Sequence, residues 1–351
     1  MRPDNIGDVV MIGPAVRAIR EVAPRSRITL LASPAGSLAA PLLPWIDDVL
    51  VESVSWQQLD RGGAGWDPGR DAALIERLRG GRFDAAFIFT SFSQSPWPAA
   101  YACLLAGIPV RVGRELGFGG ALLTHAVPEA PDGTHQVERS LGLLEAVGMP
   151  VADRRLAVRI PAEARRSAEA MLHAEGVDPG GPYVVLAPGA SCEARRMPAA
   201  LALGTAQRLA QSAGAGPAAV VLVGGAKDTD ATAPIARLDG VRSIVARTRI
   251  PELAAVIAGA RLLVTAHSAP MHLADAVGTP TVVAFSGTDL EQEWGPRAAP
   301  ARLLRRDTAC APCRGFTCPF DLACLDLDAG AVVAAGRDLI APAAIAPGTA
   351  A

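Results

Sequence analysis

Three groups of residues carry chemistry by their types and spacing. The first is "DNIGDVV", where Gly7 and Asp8 stand directly before an apolar segment with helical spacing. A carboxylate there has two readings: a helix cap that accepts a bond from a free backbone N–H, or a base carried on a glycine turn over a cleft. The second group lies where apolar runs give way to small residues and then to a helical pattern. In "LAPGASCEARRMP" (186–198) such a turn brings Arg195 and Arg196, in "VGGAKDTDA" (223–231) it brings Asp228, and in "TAHSAPMHLADAVGTP" (265–280) Ser268, Ala269 and Pro270 open a helix carrying His272. Small residues before a helix let backbone N–H groups and the positive dipole end approach an anion closely. Neighbouring arginines add forked, charge-assisted bonds to phosphate oxygens. The chemistry expected is capture of a diphosphate.

Each piece also has a plainer reading. The two arginines alone describe a solvated surface pair, and His272 alone describes a satisfied core histidine. Asp228 reads as the cap of a helix after Gly-Gly or as a ribose acceptor, in preference to half of a divalent-cation pair with Asp230. The third group is "CAPCRGFTCPFDLAC", with Cys310, Cys313, Cys318 and Cys324 in one loop. Four thiolates so placed can supply a tetrahedral site for structural zinc or iron; the alternative is a reduced loop of small, buried thiols. Cys103 and Cys192 read as ordinary small residues.

The elements that must position these groups are short apolar runs alternating with amphipathic stretches. Strands are expected at 28–32, 48–52, 83–89 and 110–113, then at 183–188, 218–225, 242–246, 261–266 and 281–286. Helical patterns such as "PAVRAIREVA", "HQVERSLGLLEAVG", "PAALALGTAQRLAQSA" and "PELAAVIAGA" separate them. Continuously apolar strands alternating with helices indicate parallel sheets covered on both faces, an α/β, doubly wound architecture. The pattern runs twice, which predicts two Rossmann-like domains facing a central cleft, 1–160 and 161–340, with a disordered tail at 341–351. No G-x-G-x-x-G follows a first strand, which disfavours a nicotinamide dehydrogenase.

Bulk properties narrow the class. A length of 351 residues favours two domains. A net charge of −2 and 4% aromatic residues offer neither the basic surface nor the stacking platform of a nucleic-acid binder. No apolar run reaches the length of a membrane span, and no signal peptide is read at the amino end. A cytoplasmic protein is expected. Six cysteines in so long a chain do not describe a secreted disulfide scaffold.

Taken jointly, "DNIGDVVMIGPAVRAIREVAPRSRITLLA", "THQVERSLGLLEAVG", "PGASCEARRMP" and "HSAPMHLADAVGTPTVVAFSGTD" resemble glycosyltransferase family 9, the heptosyltransferase-like enzymes of GT-B fold. The resemblance runs from residue 1 to about 340. It implies inverting, metal-independent transfer of a heptose-like sugar from a nucleotide-diphosphate donor, ADP-heptose or similar, to a cell-surface glycan or glycolipid precursor. An enzyme on such an acceptor would work in the cytoplasm or at the inner face of the membrane as a peripheral protein. By the resemblance Asp8 falls on the catalytic base, which decides the opening choice in favour of the base. Arg195 falls on a basic residue at the donor phosphates and Asp228 on an acidic residue at the donor ribose. Ser268, Ala269 and His272 match the family's "(D/N)-(S/T)-G-P-x-H" turn, which cradles the nucleotide diphosphate. Similar cysteine-rich segments occur in the family, and a protein-directed subset uses one as an iron finger.

The sequence also departs from the family pattern. His267 stands where Asp or Asn is usual and Met197 where Trp is common. Ala269 replaces Gly, so a backbone with φ > 0 there would be strained. The family's apolar strand before the "R-x-D-x-I-G-D" segment has no counterpart ahead of Met1, and an upstream start is expected. Two alternatives remain at this level: a nucleotide-sugar epimerase of the same fold, and a non-catalytic nucleotide-sugar-binding relic.

Overall fold

The computed structural model describes residues 1–57, 67–92, 94–211 and 219–341. The tail expected to be disordered lies, beyond Ala341, outside the described residues, as does Ala218 at the start of one expected strand. The chain divides into two compact units. One takes in Met1–Ala162, Arg249–Pro251 and Leu290–Gly295; the other takes in Glu163–Thr248, Glu252–Asp289 and the chain from Pro296 onward.

In the first unit, β1 (Thr29–Ala32) pairs in parallel with β2 (Asp48–Val51). A second parallel sheet holds β3 (Ala85–Ile88), β4 (Val110–Arg114) and β5 (His125–Val127). Met1 and Arg2 take ladder positions on both sheets. The Arg2 N–H donates to the Leu31 carbonyl at 2.8 Å, and the Phe89 N–H donates to the Met1 carbonyl at 3.1 Å. A cavity of about 760 Å³ is lined by residues of both sheets, among them Leu30, Leu31, Ala86 and Phe87. Asn5, in extended backbone, starts the helix Ile6–Met11, and the helix Gly13–Val22 follows with Pro14 in its first turn, where a missing N–H is harmless. That helix buries Ala15, Val16 and Ala18.

The second unit is built on one all-parallel sheet. Its strands are β6 (Tyr183–Ala187), β7 (Ala219–Leu222), β8 (Val241–Ser243), β9 (Leu262–Ala266), β10 (Thr281–Ala284) and β11 (Ala301–Leu304). Their order is β11-β10-β9-β6-β7-β8. Every residue of β6, β9 and β10 is buried, as continuous apolar strands require when both faces are covered. Val184, Leu186, Val220, Leu222, Val264 and Val282 form the core with side chains of the helices Ala199–Gln211 and Ala329–Ile340. Each such fully buried side chain contributes roughly 1.5–3 kcal/mol.

The topology positions the site. From β6 the chain builds toward β8, and from β9 it builds toward β11, so the order reverses between β6 and β9. Ligands of open α/β sheets bind outside the carboxyl ends of the strands at such a reversal. Because all six strands are parallel, the turns after β6, β7, β9 and β10 share that edge. The turns after β6, β7 and β9 are the three expected from the sequence, and the turn after β10 is the fourth.

Candidate active site

Asp8 is the third residue of the helix Ile6–Met11, and Gly7, expected in a turn, is itself helical and buried. One carboxylate oxygen, Oδ2, accepts the Asn5 N–H at 3.1 Å, and the other, Oδ1, accepts from Arg2 Nη2 at 2.7 Å. The cap and the charged site are therefore the same side chain. Arg2 is fully buried and also stands 3.3 Å from Asp4 Oδ2 through Nε. Asp4 Oδ1 accepts from Gln94 Nε2 at 2.7 Å. Burial pushes the Asp4 carboxyl above the usual carboxylate range, against the pull of Arg2 and with help from the nearby Asp8 charge. Of the two carboxylates on Arg2, Asp8 is the more accessible, 14% exposed against 8%. Arg2 and Asp4 are the R and first D of the "R-x-D-x-I-G-D" segment, to which the sequence assigns no role.

In the second unit, Arg195 closes a one-turn 3-10 helix after β6. Its Nε donates to Thr288 Oγ1 at 3.1 Å and its Nη2 reaches Asp289 Oδ2 at 2.8 Å. Thr288 Oγ1 donates to that same oxygen at 2.7 Å, while Asp289 Oδ1 accepts from Arg314 Nη1 at 3.0 Å. Thr288 and Asp289 lie on the turn after β10, and Arg314 lies inside the cysteine-rich loop. This grip uses the Nε–Nη2 side of the Arg195 guanidinium and leaves Nη1 outside it. Arg196 approaches Asp228 Oδ1 at 3.7 Å, an ion pair longer than a hydrogen bond. Asp228 is buried and its Oδ2 accepts the Gly225 N–H at 2.9 Å, which is the cap reading. A Cβ on Gly189 would stand 2.6 Å from that oxygen, so only glycine fits beside the carboxylate.

The turn after β9 opens the nine-residue helix Ala269–Val277, with Ser268 extended at its N-cap. Ala269 begins that helix and is absent from the left-handed residues, so the strain expected of its Cβ does not arise. His272 is buried in the first turns beside Met271 and Leu273. His267 is also buried, and its ring stacks on Phe285 at 4.0 Å between centroids. Desolvation, with the charges of Arg195 and His272 nearby, holds His267 well below the usual imidazole range. It is neutral, and adds no cation at 4.0 Å from Asp289. Met197, the other departure in this unit, is a buried core residue.

The cysteine loop differs from its metal-site expectation. Among the described residues no group of three or more His, Cys, Asp or Glu is placed to hold a metal ion. Cys310 and Cys313 are exposed, Cys318 is half-buried and Cys324 is buried. The Cys324 Sγ accepts the Gly287 N–H at 3.2 Å, and burial pushes its thiol up. Spacing in sequence brought four thiols into one loop, and the loop backbone bonds to the turn after β10.

A parallel sheet with a reversal point and an edge of small-residue turns defines a mixed α/β protein, and its likeness to GT-B heptosyltransferase structures extends over the chain. The solved family 9 glycosyl transferase from Veillonella parvula covers 97% of this chain and 95% of its own, at 19% identity and a TM-score of 0.77. The Escherichia coli ADP-heptose LPS heptosyltransferase II covers 97% of both, at 21% identity and a TM-score of 0.72. In sequence, lipopolysaccharide heptosyltransferase 3 of Escherichia coli K12 is 26% identical over 300 residues, which is 81% of this chain and 80% of that protein. The model of glycosyltransferase family 9 (heptosyltransferase) matches residues 72–323, and the chain belongs to that family. It is a glycosyltransferase, and the family, not the fold, decides against the epimerase and the non-catalytic relic.

Proposed function

We propose that the protein is an inverting, metal-independent glycosyltransferase that moves a heptose-like sugar from an ADP-linked donor to a lipopolysaccharide or related envelope glycolipid precursor. The observation that carries the reading is Arg195, held by Thr288 and Asp289 on the same sheet edge as the Ser268 turn. The names of the Escherichia coli relatives, both lipopolysaccharide heptosyltransferases, support the donor and acceptor class.

In this reading the donor diphosphate lies over the reversal point of the second unit. Arg195 and Arg196 supply positive charge and the helix Ala269–Val277 supplies backbone N–H groups and its positive dipole end. As the leaving diphosphate gains negative charge, these groups are already oriented and need not reorganise. Asp8 takes the proton from the acceptor hydroxyl while that oxygen attacks the anomeric carbon from the face opposite the diphosphate, inverting its configuration. Asp228 caps its own turn and stands beside the ribose, and His272 closes the nucleotide side of the turn. Among the described residues no helix is long and apolar enough to cross a membrane, and a peripheral position at the cytoplasmic membrane face suits the acceptor.

The test is direct. Purified protein incubated with ADP-heptose and a lipid A–core precursor should release ADP in step with glycosylated lipid, in buffer containing EDTA. The new glycosidic bond should have the anomeric configuration opposite to the donor's. A retained configuration, or activity restored only by a divalent cation, contradicts the mechanism.

A further inference from the structure

The cysteine-rich loop has no metal geometry, yet it is clasped to the donor side of the second unit at several points. The Cys313 N–H donates to the Gly287 carbonyl and the Arg314 N–H to the Thr288 carbonyl, each at 2.9 Å. The Ala194 N–H donates to the Phe316 carbonyl at 3.1 Å. These bonds seat the loop on the two residues before Asp289 and on the one before Arg195. At their centre is one carboxylate with two guanidinium groups: Asp289 Oδ2 to Arg195 at 2.8 Å and Oδ1 to Arg314 at 3.0 Å.

We propose that Asp289 is a positioning residue for the donor diphosphate, fixing the Arg195 guanidinium, and that Arg314 is delivered by the cysteine-rich loop to brace the other oxygen of that carboxylate. The proposal rests on the reading of Arg195 as a diphosphate ligand. Three features carry it. First, the exposure is graded: the Asp289 side chain is 5% exposed, Arg195 24% and Arg314 36%. The anion is enclosed and the cations face outward. Second, Asp289 is shared between two guanidinium groups, one on each carboxylate oxygen, so Arg195 is not its sole counter-charge. Third, Asp289 and Thr288 hold the side of Arg195 formed by Nε and Nη2. A long flexible side chain is thereby pre-organised, which reduces the rotamer entropy lost when a ligand binds.

A purely structural ion cluster would stabilise the fold without regard to ligand. A positioning residue acts through Arg195, so the two must be non-additive. ADP affinity measured by calorimetry on the full chain, for the parent, Arg195→Ala, Asp289→Asn and the double variant, separates these cases. Arg195→Ala should weaken ADP by about 10- to 150-fold, the range for a hydrogen bond to a charged group. Asp289→Asn should weaken ADP by about 3- to 30-fold in the parent and by nothing further in the Arg195→Ala background. Arg314→Gln should weaken ADP with Arg195 intact. Should Asp289→Asn fail to fold, Asp289→Glu retains the charge and moves it, and should show the same non-additive loss. Full additivity, or tighter ADP binding by Asp289→Asn, overturns the positioning role. Unchanged affinity in Arg195→Ala overturns the diphosphate reading itself and the proposal with it.

Discussion

The two charged centres of this protein are mirror images in their electrostatics. In the first unit a fully buried arginine, Arg2, holds a carboxylate, Asp8, that remains partly accessible. In the second a buried carboxylate, Asp289, holds an arginine, Arg195, that remains partly accessible. In each the enclosed ion is the holder, and the more accessible ion is the one proposed to meet the substrate. The difference in sign matches the task proposed for each: a base needs a negative group, and a diphosphate needs a positive one. Each centre also has a second group of the accessible one's kind on the same holder, Asp4 beside Asp8 and Arg314 beside Arg195.

The comparison breaks most visibly at the holders. Arg2→Met would leave Asp4 and Asp8 without their shared cation in a largely buried setting. Removing one partner of a buried pair costs about 3–5 kcal/mol, and chemical denaturation should show a loss of that order. A loss near zero would mean that solvent already screens the pair and that Arg2 is no holder.

His267 sharpens the second centre. It is neutral in the folded state because burial holds its pKa well below the ordinary value of 6.5. The unfolded chain therefore binds the proton first as pH falls. Stability should be full above about pH 6.5 and should decline below it, by at most about 1.4 kcal/mol per pH unit for this one group. In His267→Asn the difference in Tm between pH 7.5 and pH 5.5 should shrink. An unchanged difference would show that another group sets the acid limit.

The smallest effect is expected in the cysteine loop. Cys310 is exposed and its Sγ donates to Thr308 Oγ1, at 3.4 Å. Cys310→Ser should leave stability within about 0.5 kcal/mol, as surface changes usually do, and should leave ADP affinity unchanged. One zinc or iron per chain in the purified protein, lost in Cys310→Ser, would contradict the arrangement described here and restore the metal reading.

These contrasts also show what the sequence could convey. The strands β6, β9 and β10 were legible because they are apolar from end to end. The strands β5 and β11 were not: "HAV" is three residues long, and "ARLL" is half-exposed at the sheet edge, so neither carries a clear period. Asp8, Arg195 and Ser268 announced themselves through neighbouring small residues in one short stretch. The holder of Arg195 did not. Residues 195, 289 and 314 meet only when strand order brings the turns after β6 and β10 to one edge and the loop folds over them. The "SGTD" after β10 was the available signal, a polar run at a strand's carboxyl end, but no local spacing ties it to an arginine far upstream. The cysteines taught the opposite lesson: their spacing was legible and their arrangement was not.

The proposed division of labour puts chemistry at Asp8 and donor binding at Arg195. It is tested most directly by measuring turnover and ADP affinity together for Asp8→Asn. Turnover with ADP-heptose and acceptor should fall by about 10²- to 10⁴-fold, the usual share of general base catalysis, while calorimetry shows ADP bound as tightly as by the parent. Turnover that survives the substitution, or ADP affinity that falls with it, would contradict the account.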